Sequence, residues 1–138
     1  MSATTTARTP VTAFVLAWLR ALWPATADGE RVGDNEAPPN TAQAYAILYD
    51  IDGGSWRPQV DGSFEATFIY QVSSLGLRRD QASTLADLLR DGMLALRGQA
   101  GDGWAIALVE PDTSPAAPYE DGRLWRVPDR FRVMVVPA

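Results

Sequence analysis

The stretch FEATFIYQVSSLGLRRDQASTLADLLRDGM, residues 64–93, changes its hydrophobic period midway, and that change decides the fold. Phe64, Ala66, Phe68, Tyr70 and Val72 alternate with Glu65, Thr67, Ile69, Gln71 and Ser73, the period of two that a half-buried strand requires. Gly76 breaks the run. A helix is predicted to begin near Arg78–Asp80, because Ala82, Leu85, Leu89, Met93 and Leu96 then recur at helical spacing, with Leu88 widening the stripe. Gly98, Gly101 and Gly103 stop it. A strand with one apolar face running into a helix with one apolar stripe calls for a sheet packed on helices.

Upstream, Thr9-Pro10 reads as an N-cap followed by proline at the first helical position. Val11, Phe14, Val15, Trp18 and Leu22 share one face of that helix, and Trp23-Pro24 ends it. Residues 1–9 are small and polar and read as a flexible arm; residues 10–138 read as a single domain. An acid-rich loop spans residues 25–41, and residues 44–50 read as a strand apolar on both faces. Asp52-Gly53-Gly54 and Asp61-Gly62 are turn signals, making residues 51–62 an extended hairpin tip that carries Trp56 and Arg57. Downstream, Trp104, Ile106 and Leu108 alternate in a third strand. A proline-rich acidic loop follows, and then a last strand interrupted at Pro128, where Phe131, Val133 and Val135 face away from Arg130 and Arg132. The expected class is α+β, in the order α-β-β-α-β-β, with a small mixed or antiparallel sheet packed against two helices.

Composition narrows the chemistry. Of 138 residues none is Cys or His, so disulfides, thiolate and imidazole metal sites, and Ser-His-Asp or Cys-His catalysis are all excluded. All 12 basic residues are Arg, which removes lysine-dependent phosphate loops and Schiff bases, and the net charge of -5 argues against stable nucleic-acid binding. The apolar run from Val11 to Trp23 contains Arg20 and is too short to span a bilayer, so no membrane association is expected.

Three motifs suggest chemistry and each has a plainer explanation. Asp50-x-Asp52-Gly53-Gly54 lacks the further oxygen ligands and the terminal Glu of a calcium loop, and a turn accounts for it. The glycines at 98, 101 and 103 follow a helix rather than open one, the reverse of a phosphate cradle. The carboxylate pairs Asp28/Glu30, Asp34/Glu36 and Glu120/Asp121 lie in predicted loops, where neither carboxyl is held desolvated across a cleft. No catalytic residue, metal or cofactor is assigned, and the chain is not expected to be an enzyme. Trp56 at a hairpin tip, and Arg123, Arg126, Arg130 and Arg132 alternating with Trp125 and Phe131, fit a protein–protein contact, where Trp and Arg are enriched.

VTAFVLAWLRALWP (residues 11–24), FIYQVSSLGLRRDQASTLADLLRDGM (68–93) and RVPDRFRVMVVP (126–137) resemble tail-terminator proteins of long-tailed bacteriophages, a similarity of element order and local signatures over about residues 11–136. That resemblance implies a ring, commonly a homohexamer, that caps the tail tube, stops its polymerisation and joins the tail to the head connector. It places the protein in the tail or neck of a virion, and in the host cytoplasm before assembly. Its partners would be further copies of itself, the tail tube protein and the head–tail connector protein, and it carries no catalytic residues. The interface readings at Trp56, Arg57, Arg123, Arg126, Arg130 and Arg132 attach to that ring. Two other readings fit the residues: a head-completion or head–tail joining protein, and a small-molecule binding module with acid loops around a pocket.

Overall fold

A computed structural model describes residues 3–22, 31–39, 41–58, 64–112 and 116–138, without the side chains of residues 3–9, 52–58 and 64. Its elements are α1 (Ala3–Arg20), β1 (Val32–Asp34), β2 (Tyr45–Pro58), β3 (Phe64–Gly76), α2 (Arg79–Leu94), β4 (Ala100–Gly101), β5 (Trp104–Pro111), β6 (Tyr119–Asp121) and β7 (Leu124–Pro137). The class is α+β, but the expected six-element order and small sheet need correction. Strands β1, β4 and β6 are added, and the sheet has seven strands in the order β1-β2-β3-β7-β5-β4, with β6 on β7. Strands of two or three residues are too short to show an alternation, so periodicity does not detect them. The sheet is mixed because β1 pairs parallel to β2, while the remaining pairs are antiparallel.

The switch at Gly76 is where expected. Ala66, Phe68, Tyr70 and Val72 of β3 are buried on the helix side, and Ala82, Leu85, Leu89, Met93 and Leu96 are buried beneath and just beyond α2. Leu88 departs from the expected stripe: it is 41% exposed. It lies about 100° around the helix from Leu89, beyond the edge of the buried face. The Gln81 side chain accepts the backbone N–H groups of Leu77 (3.0 Å) and Arg78 (3.2 Å), covering donors that α2 leaves orphaned at its start. Val11, Val15 and Leu19 bring α1 into the same core, and Trp18 Nε1 donates to the carbonyl of Gly92 on α2 at 2.8 Å. The helices cross closely there: a Cβ at position 92 would stand 2.6 Å from Leu22 Cδ1, so the end of that side chain would have to shift.

Strand β2 has cores on both sides, as its unbroken apolar run implies. Ala46 and Leu48 join the helix-side core, while Tyr45 and Ile47 cluster with Leu75 on the opposite face. Ser73, placed by alternation on a polar face, is fully buried under that second cluster. Asp52-Gly53-Gly54 is not a turn. The strand runs through it to Pro58, and register shifts between Asp50, Asp52 and Ser55 place two extra residues on β2 relative to β3. Glycine tolerates the irregular backbone of a bulge as readily as that of a turn, so one signal fits both. The expected tip over 51–62 is therefore strand up to Pro58; residues 59–63 are outside the described residues.

Pro128 does not interrupt the last strand either: β7 is continuous and pairs Pro128 with Ser73. The N–H of Asp112 bonds the carbonyl of Arg130 at 2.9 Å, so even-numbered backbone groups of β7 point away from β3. Position 128 therefore points into the gap between β6, which reaches Arg126, and β5, which reaches Phe131. A missing N–H costs no ladder bond there.

Helix α1 starts at Ala3, ahead of the expected Thr9-Pro10 opening, and Pro10 lies inside it. Proline has no N–H for the carbonyl one turn back, which weakens the coupling of residues 3–9 to the rest of the helix. Deleting residues 1–9 is expected to leave the melting temperature within about 2 °C of the full chain, below the roughly 3 °C that 1 kcal/mol produces in a domain of this size. A drop of several degrees in a calorimetric scan would show that this segment is docked.

Candidate assembly surfaces

The sheet has two flanks with unpaired strand edges. On one, β1 pairs only with Ala46, Ile47 and Leu48, so residues 51–58 of β2 have no strand on their outer side among the described residues. Trp56 and Arg57 lie in that segment, in register with Ala66 and Glu65. On the other flank, β4 pairs only with Trp104 and Ala105, and the backbone of residues 98–99 covers Ile106. The outer sides of residues 107–111 of β5 and of β6 have no strand partner among the described residues. Unpaired edges present rows of backbone donors and acceptors to another chain.

The four C-terminal arginines do not act alike. Arg126, Arg130 and Arg132 share the sheet face away from the helices, as the alternation implied, while Arg123 is exposed in the turn beside Gly122. Gly122, with φ of +67°, takes the first central position of a two-residue hairpin loop, where the favoured turns need a positive φ. Arg126 Nε bonds Asp121 at 2.9 Å. Burial would lower its pKa, but hydrogen bonds to Tyr49 and Asp121 outweigh burial and hold it above the usual guanidinium value. Arg132 bridges Glu110 at 3.1 Å and Asp112 at 3.0 Å, and Arg130 donates to Gln71 at 3.1 Å. Arg126 and Arg132 thus have carboxylate partners within their own chain. The strand also pairs Arg79 of α2 with Trp125, the guanidinium lying 5.8 Å from the ring centroid.

The fold resembles a chain in the virion of a native gene transfer agent (GTA) particle, with a TM-score of 0.64 and 17% identity over 89% of this chain and 94% of that one. No protein-family profile and no curated protein matches the sequence. At that identity the likeness is one of fold.

One polar cluster escaped the sequence. Asp129, 5% exposed, sits on the helix side of β7 and takes the Arg90 guanidinium at 2.9 Å and the N–H of Ala116 at 3.1 Å. It ties together α2, β7 and the segment leading into β6. Partners 39 residues apart leave no local pattern; the only available signal was an aspartate among the apolar residues of an inward face. The carboxylate pairs that fall among the described residues are exposed. Glu120 and Asp121 are in β6 rather than a loop, Asp34 and Glu36 are exposed, and Asp28 and Glu30 lie outside the described residues. Among the described residues, no three acidic side chains gather as a metal site.

Proposed function

We propose that this chain is a virion structural protein and, within that class, a tail-terminator subunit. In this reading six copies close into a ring that caps the tail tube, ends its polymerisation and meets the head connector. The observation that carries it is the nearly end-to-end likeness of its fold to a chain of a gene transfer agent virion. Unpaired edges on opposite flanks of one sheet support a ring, because a contact between two different surfaces propagates from copy to copy until it closes. The reading assigns no catalytic residue and no cofactor.

Charge fits a passage for DNA rather than a grip on it. Six copies at -5 each carry a formal charge of -30, and Arg126 and Arg132 are already engaged by carboxylates. Native mass spectrometry at micromolar concentration is expected to give one closed species near 90 kDa, six times 15.0 kDa. A monomer at all concentrations would overturn the ring. Micromolar, salt-dependent duplex binding by the unmodified protein would instead turn Arg123 and Arg130 into nucleic-acid contacts.

A further inference from the structure

The outer edges of β2 and β5 are open at residues 51–58 and 107–111 among the described residues, and the pairing shows which backbone groups they offer. Even-numbered groups of β7 point away from β3, so its odd-numbered groups bond β3 at even positions, and odd-numbered groups of β3 point to β2. Beyond the bulges of β2 those odd positions meet Ser55 and Arg57. The N–H and C=O of Trp56 and the C=O of Pro58 therefore point outward. On β5, Leu108 and Glu110 pair with even positions of β7, which leaves the N–H and C=O of Val109 and the C=O of Pro111 pointing outward. The rest of each edge is covered. β1 and the Asn35 side chain, which accepts the N–H of Asp50 at 3.4 Å, cover β2 up to residue 50. β4 and residues 98–99 cover β5 up to Ile106.

We infer that the sheet runs on from copy to copy, with Trp56 of one β2 pairing antiparallel with Val109 of the next copy's β5. This rests on the ring proposed above and names its contact. Direction, face and proline position together select a second copy as the occupant. Three antiparallel pairings separate β2 from β5, so the two strands run oppositely. A copy rotated about an axis along the strands therefore presents its β5 antiparallel to β2 of the first. Position 56 is in register with Ala66 and Val109 with Val133, both buried on the helix side, so the continued sheet keeps the helices of every copy on one side. An edge proline offers a carbonyl without an N–H. Setting position 56 against 109 places Pro58 and Pro111 at opposite ends of the junction, where each lacks a single donor and the central pair keeps both bonds. On the other face the same register sets position 57, an arginine, diagonal to Glu110, so opposite charges meet between copies. A sheet closed on itself has no open edge, which accounts for the long unpaired segment of β2. Because the two edges differ, the contact is head to tail and builds a ring rather than a two-fold dimer.

The lack of cysteine in the chain provides a direct test. Arg57→Cys and Leu108→Cys fall opposite each other at a non-hydrogen-bonded position of this junction, with Cα atoms about 4.5 Å apart. Within one chain three strand spacings, about 14 Å, separate the two positions, beyond the roughly 7 Å that a disulfide spans. Mild oxidation of the double variant is expected to give a denaturing-gel ladder that stops at the ring size, while each single variant gives monomer or at most dimer. Rings of the double variant in native mass spectra without a ladder would overturn this contact and leave the ring standing; absence of rings in the unmodified protein would remove both. Val109→Pro gives a readout independent of disulfide geometry. It removes a donor that no strand of its own chain uses, and is expected to raise the concentration for half-assembly about tenfold or more. Val109→Ala keeps the N–H and is expected to assemble as the parent does. A proline variant that assembles like the parent, or equal losses in both variants, would count against pairing through the backbone.

Discussion

Asp129→Ala is expected to cost about 3 to 5 kcal/mol, because it leaves a largely buried guanidinium and a backbone N–H without their acceptor. The Asp129 side chain is only 7% exposed and that of Arg90 is 23%, so water replaces the lost partner only in part. A typical domain has only about 5 to 15 kcal/mol of stability in all, so the variant is expected to be marginal. Asp129→Asn keeps an acceptor for the Ala116 N–H and loses only the charge, so its loss is expected to be smaller. Urea denaturation of the two variants against the parent, at unchanged slope, measures both. A loss below about 1 kcal/mol for the alanine variant would place Asp129 among surface ion pairs instead.

Leu89→Asp and Leu88→Asp are expected to differ more than any other pair of neighbours in α2. Leu89 is 1% exposed in the helix-side core, so an aspartate there is either a desolvated charge or a protonated acid in an apolar cavity. The expected loss is several kcal/mol, near the whole stability of the domain. The same substitution at Leu88 removes an exposed side chain and is expected to stay within about 1 kcal/mol of the parent. Thermal melts of both variants decide it. A folded, soluble Leu89→Asp protein, or equal losses at both sites, would show that the helix is turned differently.

The contrast between those two leucines also marks how far the sequence can be read. A period of 3.6 located the buried side of α2 through Ala82, Leu85, Leu89, Met93 and Leu96, yet it assigned Leu88 to the core too. Period cannot fix how wide a buried face is, because that depends on what packs beside it. In β5 the alternation holds for Trp104 and Ile106, then a bulge inserts Ala107. Leu108 becomes half-buried and Val109 buried, opposite to the simple pattern. Bulges leave composition and spacing untouched, so they are legible only against a partner strand. The candidate surfaces were partly legible. Alternation put Arg130 and Arg132 on one face, but their partners Gln71, Glu110 and Asp112 come from strands paired by tertiary folding. The exposure of Leu77 and Tyr119 carried no local signal, since exposure is a property of the folded surface.

Strand β7 occupies the middle of the sheet, between β3 on one side and β5 and β6 on the other, and it follows all three in the chain. During synthesis those earlier strands therefore leave the ribosome with bare edges, and the seam between the two halves closes only when residues 124–137 emerge. Asp129 arrives with the same segment, so the anchor for Arg90 arrives with the keystone strand. Until then no strand pairing joins β1, β2 and β3 to β4, β5 and β6. The two flanks that carry unpaired strand edges therefore come into their final relation together, at the moment the fold is completed.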